Sequence, residues 1–226
     1  MFMMNNLFSI FDPTTSELYS LNWLSSLYIL LFIPNLYWFI PSRYSFMFLL
    51  LLNYLIGEFK MLLNIKKNLM NLLFLMSIFI FIMLNNFMGM FSYIFTSSAH
   101  LTFSLSLSLT LWLSFMLYGW IMNTNHMFMH LVPEGTPSAL MVFMVLIETI
   151  SNLIRSGTLA VRLSANMIAG HLLMTLISST GSGLSILMLF FMLMSQTLLI
   201  LLELSVSIIQ AYVFTVLSTL YSAETS

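Results

Sequence analysis

Long apolar runs, separated by short polar breaks, set the layout of this chain. The first run, 18–40, is long enough to span a ~30 Å hydrocarbon core at ~1.5 Å rise per residue. Trp23, Tyr37 and Trp38 sit near its ends, as interfacial anchors do, and Pro41 follows. The segment 43–67 begins apolar but carries Arg43, Glu58, Lys60, Lys66 and Lys67. It reads as a helix lying at the membrane interface. Runs 70–91 and 101–122 predict two further crossings, the second with Trp112, Tyr118 and Trp120 toward its end. The polar connection 123–137 contains Pro133, Gly135 and Pro137 and breaks helix. Two very long apolar stretches follow, 138–177 and 184–221, joined by the flexible turn SSTGSG at 178–183. As continuous helices each would be on the order of 60 Å long, twice the hydrocarbon thickness. They must be steeply tilted, curved or interrupted, with Ser156-Gly157 as the candidate break. No internal repeat or low-complexity segment stands out. The pattern predicts an all-α polytopic membrane protein built as a single membrane domain, 1–226. It has about five membrane crossings plus one interfacial amphipathic helix, and ends in a long tilted two-helix hairpin.

Composition agrees and excludes a soluble protein. Hydrophobic residues make up 60% of the chain and charged ones 6%, against about 25% charged in a soluble domain. A mean hydropathy of +1.02 requires most of the length to face lipid or other helices. The net charge of -1 gives no reason to expect a nucleic-acid partner. With no cysteine, disulfides, thiolate metal sites and redox pairs are excluded. The bias toward Met, Phe, Leu, Ile and Asn is what an AT-rich coding genome produces, which points weakly to an organelle. The start MFMMNNLFSIFDP has neither a cationic region nor an Arg-rich amphipathic pattern, so neither a secretory signal nor a transit peptide is expected. Five crossings place the termini on opposite sides. Four of the six basic residues follow the first crossing, which puts that segment and the C-terminus inside and the N-terminus outside.

Charge is so scarce that each buried charge is informative. Arg162 lies within LAVRLSANMIAGHLL, at a depth where a guanidinium costs at least ~2.5–3.5 kcal/mol and does not deprotonate. The long segments otherwise carry only Glu148, Arg155 and His171 on one helix and Glu203 on the other, with Glu224 just past its end. Asn166 is one turn beyond Arg162 on the same face. Glu148, Arg155 and Arg162 recur every seven residues, and Glu203, Gln210 and Glu224 differ by multiples of seven. Each helix therefore carries a polar stripe. In an antiparallel hairpin paired residues have numbers of constant sum. Arg162 with Gln210 gives 372, His171 with Glu203 gives 374 and Glu148 with Glu224 gives 372. One register satisfies all three, if the turn is staggered or wider than SSTGSG. It orders an outer pair, a central pair and an inner pair. Carboxylates and histidine can exchange protons once their surroundings tune them, whereas Arg162 repels a proton. This is chemistry for moving protons, not for transforming a substrate.

Plainer readings stand beside these. Arg162 alone could be a structural charge paired with Glu148 or a backbone carbonyl, and Arg155 could simply pair with Glu148. A lone His171 is more often a packing histidine. His126, His130 and Glu134 are spaced by four, like metal ligands on one helix face, but Pro133 and Gly135 disrupt that helix, so no metal site is expected. His100 reads as a solvated loop residue, and Lys60, Lys66 and Lys67 as a topology signal. Gly181 and Gly183 are turn residues without a phosphate-binding Gly-Lys-Ser/Thr pattern. No catalytic, cofactor-binding or ATP-binding residues are expected.

LAVRLSANMIAGHLL together with LELSVSIIQAYVFTVLSTLY, HLVPEGTP, SNLIRSGTLAVRL and the start NLFSIFDP resembles subunit a of the mitochondrial rotary ATP synthases, insect-like members best. The resemblance covers essentially the whole chain. It implies a proton-conducting stator subunit of the mitochondrial inner membrane, with its N-terminus toward the intermembrane space and its C-terminus toward the matrix. It also implies a c-ring partner, peripheral-stalk and other small membrane subunits, and no cofactor. Arg162 would be the essential arginine facing the ring carboxylates. His171 and Glu203 would match the half-channel from the intermembrane space, Glu148 and Glu224 the one to the matrix, and Asn166 and Gln210 polar neighbours of the arginine. Ser92, Ser156 and Val142 stand where many relatives have proline, and Glu134 where many have glutamine, which bears on loop geometry and helix kinks. A proton-coupled carrier, or a structural subunit of a respiratory-chain complex, is the alternative class. The first predicts paired, similarly interrupted segments around a substrate pocket, and the chain lacks that pattern. The second predicts that apolar replacements of His171 and Glu203 leave proton flux intact.

Overall fold

The computed structural model describes residues 7–17, 19–34, 37, 39–63, 69–91, 93–132, 140–183 and 185–225. Leu18, Trp38, Lys66, Lys67, Ser92, Glu134 and the rest of the 133–139 connection lie outside the described residues. Among those described there are helices and turns and no strand: 3-10 turns at Leu7–Phe11, Leu21–Leu27, Ser97–Ala99 and Gly181–Gly183, and helices α1 (Ile29–Phe32), α2 (Arg43–Leu62), α3 (Leu69–Gly89), α4 (Leu101–Met122), α5 (Thr124–Leu131), α6 (Met141–Thr180) and α7 (Ile186–Thr225).

Five helices are long and apolar enough to cross a membrane by length and composition: α2, α3, α4, α6 and α7. The number agrees with the expectation, and by length and composition α2 is one of the five. Among the described residues of the 18–40 run, helix occupies Leu21–Phe32, shorter than a membrane crossing needs. Pro34 explains the stop. Its ring disfavours helical geometry at the preceding residue, and Ile33 is extended at φ -75°, ψ 118°. In its place α2, expected at the interface, is long and apolar enough to cross, because its charges sit near its two ends: Arg43 opens it and Glu58 and Lys60 fall in its last turns. Ser42 caps α2, its hydroxyl accepting from the Ser45 amide at 3.3 Å.

Both long helices run for 40 residues without a break, α6 passing straight through Ser156-Gly157. Gly157 is a helical residue there, and no proline interrupts either segment. The turn between them is the tight Gly181–Gly183. α3 lies along α7, α4 against α6, and α6 and α7 against each other. Their shared core is apolar: Phe59, Leu75, Ile82, Leu111, Leu159, Leu163, Ala211 and Phe214. Close approach comes from small residues four apart. Ser156, Ala160 and Ser164 are buried on α6, and Ser207, Ala211 and Thr215 on α7. Such spacing puts them on one face and lets helices pack in lipid, where apolar burial gives no drive for helix association.

The opposite faces are apolar and bare. Ile186, Leu198 and Leu201 on α7 are 90%, 70% and 68% exposed, which suits lipid or a membrane partner. His100 departs from its expected place as a solvated loop residue. It is half-buried, its ring 5.0 Å from that of Trp23 and 5.1 Å from that of Phe95. The Ser25 hydroxyl donates to the Phe95 carbonyl at 2.9 Å, fixing the N-terminal turns onto that corner.

Candidate functional site

The polar groups of the hairpin fall into three sets along α6 and α7. Toward the Gly181–Gly183 turn, His171 and Glu203 meet, Nε2 to Oε1 at 3.6 Å. Their side chains are 12% and 5% exposed. Both Glu203 oxygens and His171 Nε2 are buried without a hydrogen-bond partner among the described residues. Two features seat the pair. Gly170 leaves room for the Glu203 carboxyl group, and Phe11, in the Leu7–Phe11 turn, meets the His171 ring edge-on at 6.3 Å.

In the middle, Arg162 and Gln210 line one depression with Leu159, Leu163, Val213 and Phe214. Arg162 is exposed near the middle of α6, on the face turned away from the core, with Val161 and Ala165 exposed beside it. Asn166, one turn on, is half-buried. Among the described residues the ion pairs involve Arg155 and His171, and none involves Arg162. Pairing with Glu148 is therefore not what holds it.

At the far end, Glu148 and Glu224 do not pair with each other, as two carboxylates should not. Arg155 stands between them, Nη2 3.8 Å from Glu148 Oε1 and Nη1 donating to Glu224 Oε2 at 3.1 Å. Its guanidinium lies over the Tyr221 ring, 5.5 Å from the centroid. Arg155 and Tyr221 line two adjoining recesses between α4, α6 and α7, one with Trp112, Ser156, Leu159 and Ser218, the other with Trp112 and Glu224. Leu159 is buried and lines both the first of these recesses and the Arg162–Gln210 depression.

Sequence reasoning missed Gly170, Leu159, Tyr221 and Asn86. Asn86, fully buried on α3, donates from Nδ2 to the Ser207 carbonyl of α7 at 3.4 Å. An amide inside an apolar helix was a visible signal, whereas Gly170 and Leu159 act through shape, which spacing does not reveal. Of the three residues spaced by four, His126 and His130 lie on α5 and Glu134 lies outside the described residues. Among the described residues no group of three or more His, Asp or Glu gathers as metal ligands.

Known proteins match this chain along nearly its whole length. The family model described as ATP synthase A chain matches residues 4–223. ATP synthase subunit a of Drosophila melanogaster is 59% identical over 222 residues, 98% of this chain and 99% of that protein. The subunit a of Locusta migratoria is 57% identical over 223 residues, and that of Aedes aegypti 58% over 224, each with 98% of this chain and 99% of the relative covered. A match of this extent settles the family: the chain belongs to the ATP synthase A chains.

Proposed function

We propose that this chain is the proton-conducting stator subunit of the mitochondrial ATP synthase, supplying two half-channels to a rotating c-ring and separating them with Arg162. The observation that carries the reading is the state of Arg162. It is a permanent cation near the middle of a 40-residue apolar helix, exposed, and without an ion-pair partner among the described residues. A charge at membrane depth needs a counter-charge, and a carboxylate on a neighbouring rotor supplies one from outside the chain. The bare apolar faces of α6 and α7 suit such a neighbour. Peripheral-stalk and other small membrane subunits would cover other faces.

Protons enter from the intermembrane space past Glu203 and His171 and reach a ring carboxylate. The protonated carboxyl is neutral and can travel through lipid. After nearly a full turn it meets the inner path, beside Glu148 and Glu224, and loses its proton. Arg162 keeps the carboxylate facing it ionised, because an adjacent cation favours the charged form. It also bars a direct leak, because it repels a free proton. Asn166 and Gln210 hydrate the approach to the arginine. The chain makes and breaks no bonds of ATP. In this reading the N-terminus faces the intermembrane space and the C-terminus the matrix. The test is Arg162→Ala in inner-membrane vesicles that retain the assembled complex. Proton-driven ATP synthesis is expected to vanish while the complex persists. Coupled synthesis at the normal rate would overturn the reading.

A further inference from the structure

Arg155 is the charged group of the hairpin to which the proposed proton route gives no part. Its guanidinium reaches Glu148 on its own helix at 3.8 Å and Glu224 on the neighbouring helix at 3.1 Å. Its face lies over Tyr221. The three side chains of the ion pairs are 35%, 34% and 57% exposed. Ion pairs this exposed contribute little to stability, so stapling two helix ends together is a weak reason for the arrangement. The geometry is the stronger clue. A guanidinium can serve two acceptors with its fork while its flat face stacks on a ring, and a lysine ammonium cannot do all three. Stacking on Tyr221 restrains a long side chain that would otherwise sample many rotamers. The cation thus has a set position between two carboxylates that would repel each other without it. Arg155 and Tyr221 line both a recess that reaches Leu159, one turn from Arg162, and an adjoining one that reaches Glu224. Among the described residues that line these two recesses, Glu224 from α7 is the carboxylate, and no ionisable side chain comes from α4.

We propose that Arg155 is a positioning residue of the inner proton exit, holding Glu148 and Glu224 on the two arms of one guanidinium that lies over Tyr221. The inference rests on the reading of Arg162 given above and deepens it. A proton leaving the rotor is taken up by one of the two carboxylates and passed to water, and no covalent bond other than its own O–H changes. Arg155 holds no proton itself. It keeps the two acceptors gathered at one cation, and without it they part.

The experiment uses inverted inner-membrane vesicles containing the assembled complex, with variants Arg155→Gln, Arg155→Lys, Glu224→Gln and the double Arg155→Gln/Glu224→Gln, and Arg162→Ala as a reference. ATP synthesis under an imposed proton gradient is divided by the amount of assembled complex. Arg155→Gln should lower the rate per complex by about fivefold or more, a loss in the range that coupled neighbours give. Arg155→Lys should restore it only in part, since one ammonium serves one carboxylate. The double variant should be no slower than the slower single variant, because the two residues act together. A normal rate per complex in Arg155→Gln, with less complex assembled, would make Arg155 a staple and overturn the inference, as would multiplicative losses in the double variant. If Arg162→Ala is inactive while Arg155→Gln works normally, this inference fails alone. If Arg162→Ala synthesises normally, the underlying reading fails and takes this one with it.

Discussion

Glu203 on α7 sets its carboxyl group against the one residue of α6 that leaves space for it, Gly170. A Cβ on Gly170 would lie 2.7 Å from Glu203 Oε1 and 2.8 Å from its Cδ. The next residue, His171, holds its Nε2 3.6 Å from the same oxygen. The absent side chain at 170 thus decides where an otherwise unsupported buried carboxyl group rests.

Gly170→Ala follows directly. The added methyl overlaps not only the tip of the glutamate but its Cγ, 3.2 Å away, so a rotation of the carboxyl alone does not relieve it. Overpacking of this kind costs about 1–3 kcal/mol, partly offset by the better helix propensity of alanine. The complex should assemble, and proton-driven synthesis should fall severalfold as Glu203 moves away from His171. Synthesis rate per assembled complex checks this, and an unchanged rate would mean that Glu203 does not need its seat.

Replacing His171 and Glu203 together with leucine separates a proton path from a scaffold. Both sites are nearly closed to solvent, and both Glu203 oxygens lack a hydrogen-bond partner among the described residues. Apolar groups of similar volume in such a place are often neutral or stabilising. The double variant should therefore assemble as well as the parent while its proton-driven synthesis is lost. Retained flux, measured as gradient-driven acidification inside vesicles, would support a purely structural hairpin.

The hairpin and its three polar sets were legible because lipid makes charge rare. Arg162, Glu148, Glu203 and His171 stand out against an apolar background, and helical spacing alone puts them on facing stripes. The contacts between them were less legible. The seven-residue spacing of Glu148 and Arg155 pointed to their pairing, but Glu224 joins them only through a long side chain leaning across helices, which a fixed-sum register does not describe. The break at Pro34 was overlooked because hydropathy integrates over a window and is blind to one missing N–H. The placing of charge in α2 was less legible too: five charges are dispersed through 43–67, but the three that fall within α2, Arg43, Glu58 and Lys60, sit near its ends.

Asn86 supports a stability prediction away from the proton route. Its amide donates to the Ser207 carbonyl across the α3–α7 contact at 3.4 Å, and its Oδ1 has no partner among the described residues. Inter-helix hydrogen bonds in membranes average about 0.6 kcal/mol, and a half-satisfied amide gives back part of that. Asn86→Leu removes the bond and the unsatisfied oxygen together, so it should change the thermal stability of the detergent-solubilised complex by no more than ~1 kcal/mol. Asn86→Ala removes side-chain volume from a fully buried site and should cost more, because it leaves a cavity. Thermal melts of the two variants read the difference. An Asn86→Leu variant far less stable than Asn86→Ala would mean that the amide bond, and not the volume, holds α3 on α7.

Leu159 offers the sharpest test of how leakage is prevented. It is 7% exposed and lies both beside Arg162 and Gln210 and beside the cavity that Arg155 borders. An apolar side chain between the Arg162–Gln210 depression and the recess that Arg155 lines keeps water from joining them. Arg162 adds a charge barrier, and the two act in series. Leu159→Ala would remove several carbons at a point where polar groups flank both sides, so the space should fill with water instead of staying dry as an apolar cavity would. The truncation itself costs about 2–5 kcal/mol of local packing, which the long hairpin can absorb through its other core contacts. With the arginine still present, ring rotation should persist, but part of the proton current should bypass it. The expected signature is a lower ATP yield per proton with hydrolysis little changed, read as faster decay of an imposed pH gradient when rotation is blocked. An equal decay rate in variant and parent would place the whole barrier on Arg162. Leu159→Ile, which keeps the volume, should leave the gradient as tight as in the parent.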